Sequence, residues 1–211
     1  MNTITAVHVR EALQRVGNRM IALRDRLNEL DAAMGDGDTG ISVSKGGAAL
    51  AEFISTNSLN DGDDIGKYLA NAGMALNRAA PSTMGTLLAT ALMRIGKEAK
   101  GATTLDANLV ARMIAAADAG IQERGKAKPG DKTIVDALHP AAEAFAAAVG
   151  RGEDLRHAAQ AMLEAARQGR DAATPLRSNV GRASWVGDRT VGKPDPGAVL
   201  CVEILEAILS T

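Results

Sequence analysis

Apolar residues return every three or four positions along most of this chain. Leu13, Val16, Met20, Leu23, Leu27 and Leu30 share one helical face. Met84, Leu88, Ala91 and Ile95 repeat the spacing, as do Leu105, Leu109 and Met113. Ile134, Leu138, Ala141 and Phe145 form another stripe, and Val202, Leu205 and Leu209 a last one. Alternation with a period of two is hard to find. Alanine-rich runs such as AAEAFAAAV and HAAQAMLEAARQ favour helix and let helices approach closely. Turn-and-cap clusters divide the stripes: NDGDD at 60–64, AAPST at 79–83, KGATT at 100–104, KPGDK at 128–132, GRGED at 150–154 and KPDPG at 193–197. Asp195 followed by Pro196 reads as an N-cap with proline at the first helical position, and Asp131 or Thr133 can cap the helix that carries Ile134. The pattern predicts an all-α fold of about eight amphipathic helices, with residues 1–211 as one domain. Residues 172–193 stand apart as a long loop with three arginines and the only Trp, and a loop of that length in a compact domain is often functional.

Composition narrows the function. The chain of 211 residues is 46% hydrophobic and 23% charged, ordinary for a soluble globular protein. A net charge of −1 gives no general pull toward nucleic acid or an anionic membrane, and 2% aromatics offers no stacking platform for bases. A single cysteine, Cys201, excludes an internal disulfide and reads as a small buried hydrophobe. The first residues carry charges where a signal peptide needs an apolar run, and no uncharged stretch reaches the length of a membrane span. A cytoplasmic location is expected.

The stretch GDGDTG, residues 35–40, changes the picture. With Asp31 it places three carboxylates within eight residues, with no Lys or Arg between them. A turn between helices accounts for any Gly/Asp hexapeptide taken alone. Asp31, however, ends an amphipathic helix and can point back over the loop, while the glycines let the backbone fold tightly enough for Asp31, Asp36 and Asp38 to converge. Converged carboxylates repel one another and call for a cation, and hard oxygen ligands suit Mg²⁺ or Ca²⁺. An EF-hand fails, because counting from Asp36 the twelfth position is Gly47 rather than Glu. Mg²⁺ held by a few carboxylates commonly shares its sphere with substrate phosphates. Free N–H groups at two predicted helix starts, PSTMGT at 81–86 and TGIS at 39–42, could meet an anion, and Arg182 and Arg189 could pair with a phosphate. No GxxxxGK[ST] occurs, which excludes a P-loop nucleotidase.

LDAAMGDGDTG, GKAKPGDKTIVDAL and GRASWVGDRTVGKPDPGA, in this order and spacing, resemble the nucleotide-binding L subunit of dihydroxyacetone kinases over nearly the whole chain. The resemblance implies an antiparallel barrel of eight amphipathic helices with ADP or ATP at one end, its phosphates held through two Mg²⁺ by Asp31, Asp36 and Asp38. It implies phosphate contacts at Thr39, Gly40, Ile41, Ser42, Thr83 and Met84, and adenine near Leu87, Gly125 and Ile134. Arg182 and the Asp195, Pro196, Gly197 turn would close the site, with Arg182, Asp36 and Asp38 in the catalytic roles. The partner implied is a substrate-binding K subunit, which forms a hemiaminal between a histidine and the sugar. His8, His139 and His157 lie in helical stretches and read as structural or surface groups. PSTMG replaces the family's usual glycine-rich GG-x-SG segment, Thr39 stands where many members have His, and Ile134 where many have Met.

Two phosphotransferase readings share these residues. In the first, Mg-ATP phosphorylates a short-chain ketose, and the altered glycine segment points to a four-carbon one. In the second, ADP stays bound and is rephosphorylated by a phosphohistidine carrier protein. A Mg-nucleotide module that regulates a partner without transfer is a third reading, and a homodimer is open in each. A helical bundle whose acidic loop is only a turn is the fourth, and the three motifs together argue against it.

Overall fold

The computed structural model describes residues 3–210, and they are almost wholly helical. The elements are α1 (Ala6–Ala22), α2 (Arg24–Ala32), α3 (Thr39–Thr56), α4 (Ile65–Ala79), α5 (Thr83–Glu98), α6 (Ala107–Gly125), α7 (Ile134–Gly150), α8 (Leu155–Ala173) and α9 (Pro196–Leu209). A 3-10 segment, Arg182–Thr190, precedes α9 and is kinked at Gly187. Extended pairing among the described residues is limited to a bridge between Ile4 and Leu105.

The apolar stripe from Leu13 to Leu30 predicts one helix, but the structure breaks it at Leu23, whose ψ of −3° departs from the helical value. Val16, Met20, Leu23 and Leu27 stay buried across the break. α1 and α2 thus form one bent rod, and counting it once gives the predicted eight.

Side-chain caps mark where the helices begin. Asp64, Ser82, Asp106, Thr133, Asp154 and Asp195 each accept a backbone N–H from the first turn of α4 to α9 respectively. Thr133 is the cap of α7; Asp131 instead accepts the Lys128 N–H within the preceding turn. His157 and His8 belong to helix starts as well, pairing with Asp154 and Thr5. His139 joins α7 to the buried Asp118 of α6 at 2.8 Å.

Each rod packs on its neighbour in chain order, and α9 closes the ring against α1, α7 and α8. α9 is buried almost all round: Val199, Leu200, Cys201 and Val202 follow one another in the core. Burial pushes the Cys201 thiol up to about 12, so it stays protonated. Glu203, also buried, accepts from Arg19 of α1 and Arg26 of α2, which ties α9 to the bent rod. On α5 the buried face runs through Gly85, Leu88, Ala89 and Gly96, while Met84, Ala91 and Ile95 are only half-buried; the helices that pack on it are α4, α6 and, more lightly, α3. No described helix is long and apolar enough to cross a membrane.

Short connections make successive rods antiparallel. The beginnings of α3, α5, α7 and α9 therefore gather at one end of the barrel, together with the end of α2. That end carries the acidic loop.

Candidate functional site

Asp31 lies in the last turn of α2, and its two carboxylate oxygens face different ways. Oδ2 accepts the backbone N–H of Asp38 at 3.0 Å, the N–H of Thr39 at 3.1 Å and the Thr39 hydroxyl at 2.9 Å. It thereby caps α3 from outside. Asp38 occupies the N-cap position of α3 but makes no capping bond with its own side chain. Its carboxylate is left exposed beside Asp36 and Asp31, and one oxygen from each of the three lies within 4.8 Å of the others. Oδ1 of Asp31 overhangs Gly35, where a Cβ would come within 2.6 Å of it. Gly37 turns the loop with a φ of 80°, a conformation that favours glycine.

Helix α3 can start here because Gly40 lets it press against α2. A side chain at Gly40 would strike the Arg24 carbonyl oxygen. Asn28, one turn before Asp31, accepts the Ile41 N–H at 3.2 Å and holds the same junction. The N–H groups of Thr39 and Ile41, both expected among the phosphate contacts, go to Asp31 and Asn28. Ser42 donates its N–H to the Asp38 carbonyl at 3.2 Å. At the start of α5, Thr83 is exposed and Met84 half-buried, while Ser82 takes the Gly85 N–H at 3.1 Å.

The helix starts meet at Gly197. A Cβ there would lie 3.0 Å from the Met84 side chain, 3.2 Å from Ile134 and 3.0 Å from the Asp195 carboxylate. α5, α7 and α9 therefore touch at their first turns, and Pro196, at the start of α9, is buried. Leu87, buried on α5, reaches to 3.4 Å of the equivalent point on Gly125 at the end of α6. The residues expected around a nucleotide thus fall into two adjoining groups. Surface clefts lined by Arg10, Gln14 and Ile54, and by Arg94, Gly120 and Lys126, share no residue with them.

Asp195 is buried. Burial pushes its carboxyl up to about 7; the Ala198 N–H at 2.7 Å opposes this, the charge of Asp136 adds to it, and the Gly197 N–H and Lys132 work against it. Asp136 accepts from Gly130 at 2.6 Å and Thr133 at 2.8 Å, folding the KPGDK turn onto α7.

Arg182 reaches the trio from the 3-10 segment and pairs with Asp36. Arg189 is exposed on the same segment. Lys193 donates to the Ala33 carbonyl at the end of α2, at 3.0 Å, joining the run before α9 to the acidic loop. Sequence reading missed Asn28, Lys132 and Lys193. Asn28 left a signal, since it precedes Asp31 by three residues and so shares its helix face.

The trio suits a magnesium ion on its own geometry. Its three oxygens are hard donors and close enough to share an ion; Asp31 keeps an oxygen outside its hydrogen bonds, and Asp38 spends none on a cap. Four helix beginnings at this end add positive partial charge, which favours an anion beside the metal.

A family model, the DAK2 domain, matches residues 33–210. The ADP-binding subunit DhaL of PEP-dependent dihydroxyacetone kinase 1 from Listeria innocua is 33% identical over 199 residues, which is 94% of this chain and 93% of that protein. The L-erythrulose kinase of Pectobacterium atrosepticum is 34% identical over 95% of this chain, but the chain spans only 34% of that enzyme. The crystal structure of the dihydroxyacetone kinase from C. freundii in complex with AMP-PNP and Mg²⁺ matches with a TM-score of 0.70 at 23% identity, over 98% of this chain and 34% of that one. At that identity the likeness concerns the fold.

Proposed function

The chain belongs to the DAK2 domain family, and we propose that it is the nucleotide-binding subunit of a dihydroxyacetone-type kinase, passing a phosphoryl group from Mg-ATP to a triose or tetrose ketose held by a separate K subunit. One observation carries the reading: Asp31, Asp36 and Asp38 converge at the end of the barrel where helix beginnings gather, with Arg182 against them. Residues 1–211 act as one nucleotide-binding domain in this reading.

Asp31, Asp36 and Asp38 would hold Mg²⁺, two ions in our reading, and Mg²⁺ when bound shields the phosphates from the acidic trio and from each other. The chain's own residues do the rest. Asp31 fixes the start of α3 while presenting its other oxygen. Leu87, Gly125 and Ile134 offer an apolar seat for the base, and Thr83 and Met84 at the start of α5 lie toward the phosphates. Asp195, Pro196 and Gly197 fix the first turn of α9 against that seat. Arg182 can leave Asp36 and offer its planar fork to the transferring group, where negative charge spreads in the transition state. In this reading the K subunit brings the sugar hydroxyl into line for the transfer.

A second reading has its own support. The Listeria protein, matched over nearly its full length, is named as the ADP-binding subunit of a PEP-dependent kinase. In that reading ADP stays bound and a phosphohistidine carrier recharges it. Purified protein, a cognate K subunit and a ketose separate the two. Turnover with free ATP supports the first; nucleotide retained through purification, with turnover only when phosphoenolpyruvate and the carrier system are supplied, supports the second. No transfer under either condition contradicts both and leaves a regulatory module.

A further inference from the structure

Lys132 is among the largest fully buried side chains of the described residues, at 1% exposure, and it sits in an exposed-looking turn, KPGDK. Its ammonium donates to three backbone carbonyls: Thr174 at 2.7 Å, Leu176 at 2.9 Å and Thr190 at 2.5 Å. An ammonium has three N–H groups, so all are used. The acceptors lie on both sides of the segment that carries Arg182. Thr174 and Leu176 precede it, and Thr190 ends it. Lys132 itself has a φ of 60°, which a lysine adopts only when its surroundings require it.

Other bonds join the same two strands of chain. Gly192 donates to the Thr174 carbonyl at 3.0 Å, and Ser178 donates to the Thr190 hydroxyl at 3.0 Å. Asn179 donates to the Asp131 carbonyl at 3.1 Å, next to Lys132. Residues 174–192 are thus a loop pinched at its base, with the Lys132 ammonium at the centre of the pinch. Beyond the pinch the loop is held more lightly: Arg182 pairs with Asp36, Arg177 lies 3.5 Å from Asp188, and Trp185 is 84% exposed.

We propose that Lys132 is a positioning residue for phosphoryl transfer: it locks the base of the 174–192 loop and so fixes where Arg182 stands over the acidic trio. The transfer chemistry rests on the kinase reading, whereas the locking of the loop does not. Removing the ammonium strands three buried carbonyls, which then open toward water. Arg182 loses its fixed origin. Asp31 and Asp38 keep their places, because the bonds of Asp31 and Asn28 to the start of α3 and the close packing at Gly40 set them; Asp36 alone loses its Arg182 partner.

Trp185 supplies the readout. It is the only tryptophan in the chain and lies three residues after Arg182 on the same 3-10 segment, where side chains three apart point the same way. Time-resolved fluorescence anisotropy on the full chain should show a larger nanosecond component of Trp185 motion in Lys132→Met than in the wild type, whose exposed indole already has some motion of its own. Mg-ADP affinity should stay within about twofold, while transfer with the K subunit falls by about tenfold or more. Thr190→Val removes the Ser178 latch without touching the lysine; it should loosen Trp185 in the same direction and stands in if Lys132→Met does not fold. Unchanged Trp185 anisotropy in a folded Lys132→Met or Thr190→Val protein overturns the proposal, as does an equal loss of Mg-ADP affinity and transfer. If the wild-type protein binds no Mg-ADP, the kinase reading fails while the anisotropy still decides whether Lys132 locks the loop.

Discussion

Asp31 shows how one carboxylate can serve two ends. One oxygen takes three donors at the beginning of α3, and the other is left over Gly35. The sequence suggested the convergence from spacing alone; it did not reveal that Asp31 would do the capping that Asp38 was placed to do. Arg182 tests a separate role. Arg182→Ala should lower phosphoryl transfer more than nucleotide affinity, read from single-turnover rates against calorimetric binding, and equal losses would count against a contribution special to the transition state. Asp195 predicts a pH effect. Its folded carboxyl is raised from 3.8 to about 7, so the folded state holds the proton more tightly. The stability this contributes is present at acid pH and is lost as pH rises toward 7. Asp195→Asn keeps an oxygen for the Ala198 N–H but cannot ionise. Its stability relative to wild type should therefore rise with pH over this range, in urea unfolding at several pH values; a constant difference would contradict the assignment. Lys132 was invisible from sequence for a physical reason. Its partners are backbone carbonyls 42, 44 and 58 residues away, and a carbonyl has no residue type to betray it.

At the scale of elements, the pattern of apolar positions located the rods because a stripe repeating every three or four residues must face a core whatever its partners are. It could not locate the break at Leu23, since the stripe continues through it and the buried positions on either side remain in phase. Nor could it show that the 172–193 region divides into the end of α8, an open turn and a 3-10 segment, because its Gly, Arg and Ser residues have no period. The close contact of α2 with α3 gives a prediction at this scale. Gly40→Ala places a methyl against the Arg24 carbonyl, so α3 must move away from α2. Thermal unfolding should report a loss of about 1–3 kcal/mol, the usual cost of overpacking. The same shift carries Asp38 away from Asp31, so Mg²⁺ dependence should weaken with it. A variant as stable as wild type would show that the junction has room the structure does not suggest.

For the whole molecule, the up-and-down course of the chain explains why a site exists at all. Alternating rods bring the beginnings of α3, α5, α7 and α9 to one end, where their partial positive charges and the acidic trio face the same space. In the proposed reading these carboxylates would hold magnesium, and the helix beginnings would favour the phosphates beside it. Calorimetric titration of ADP with and without Mg²⁺ tests this most directly, using the wild-type chain, Asp36→Asn and Asp38→Asn. The account predicts Mg²⁺-dependent binding by the wild type and its loss in both variants, with helical circular dichroism unchanged. Undiminished ADP affinity in the variants, or wild-type binding that ignores Mg²⁺, would contradict it.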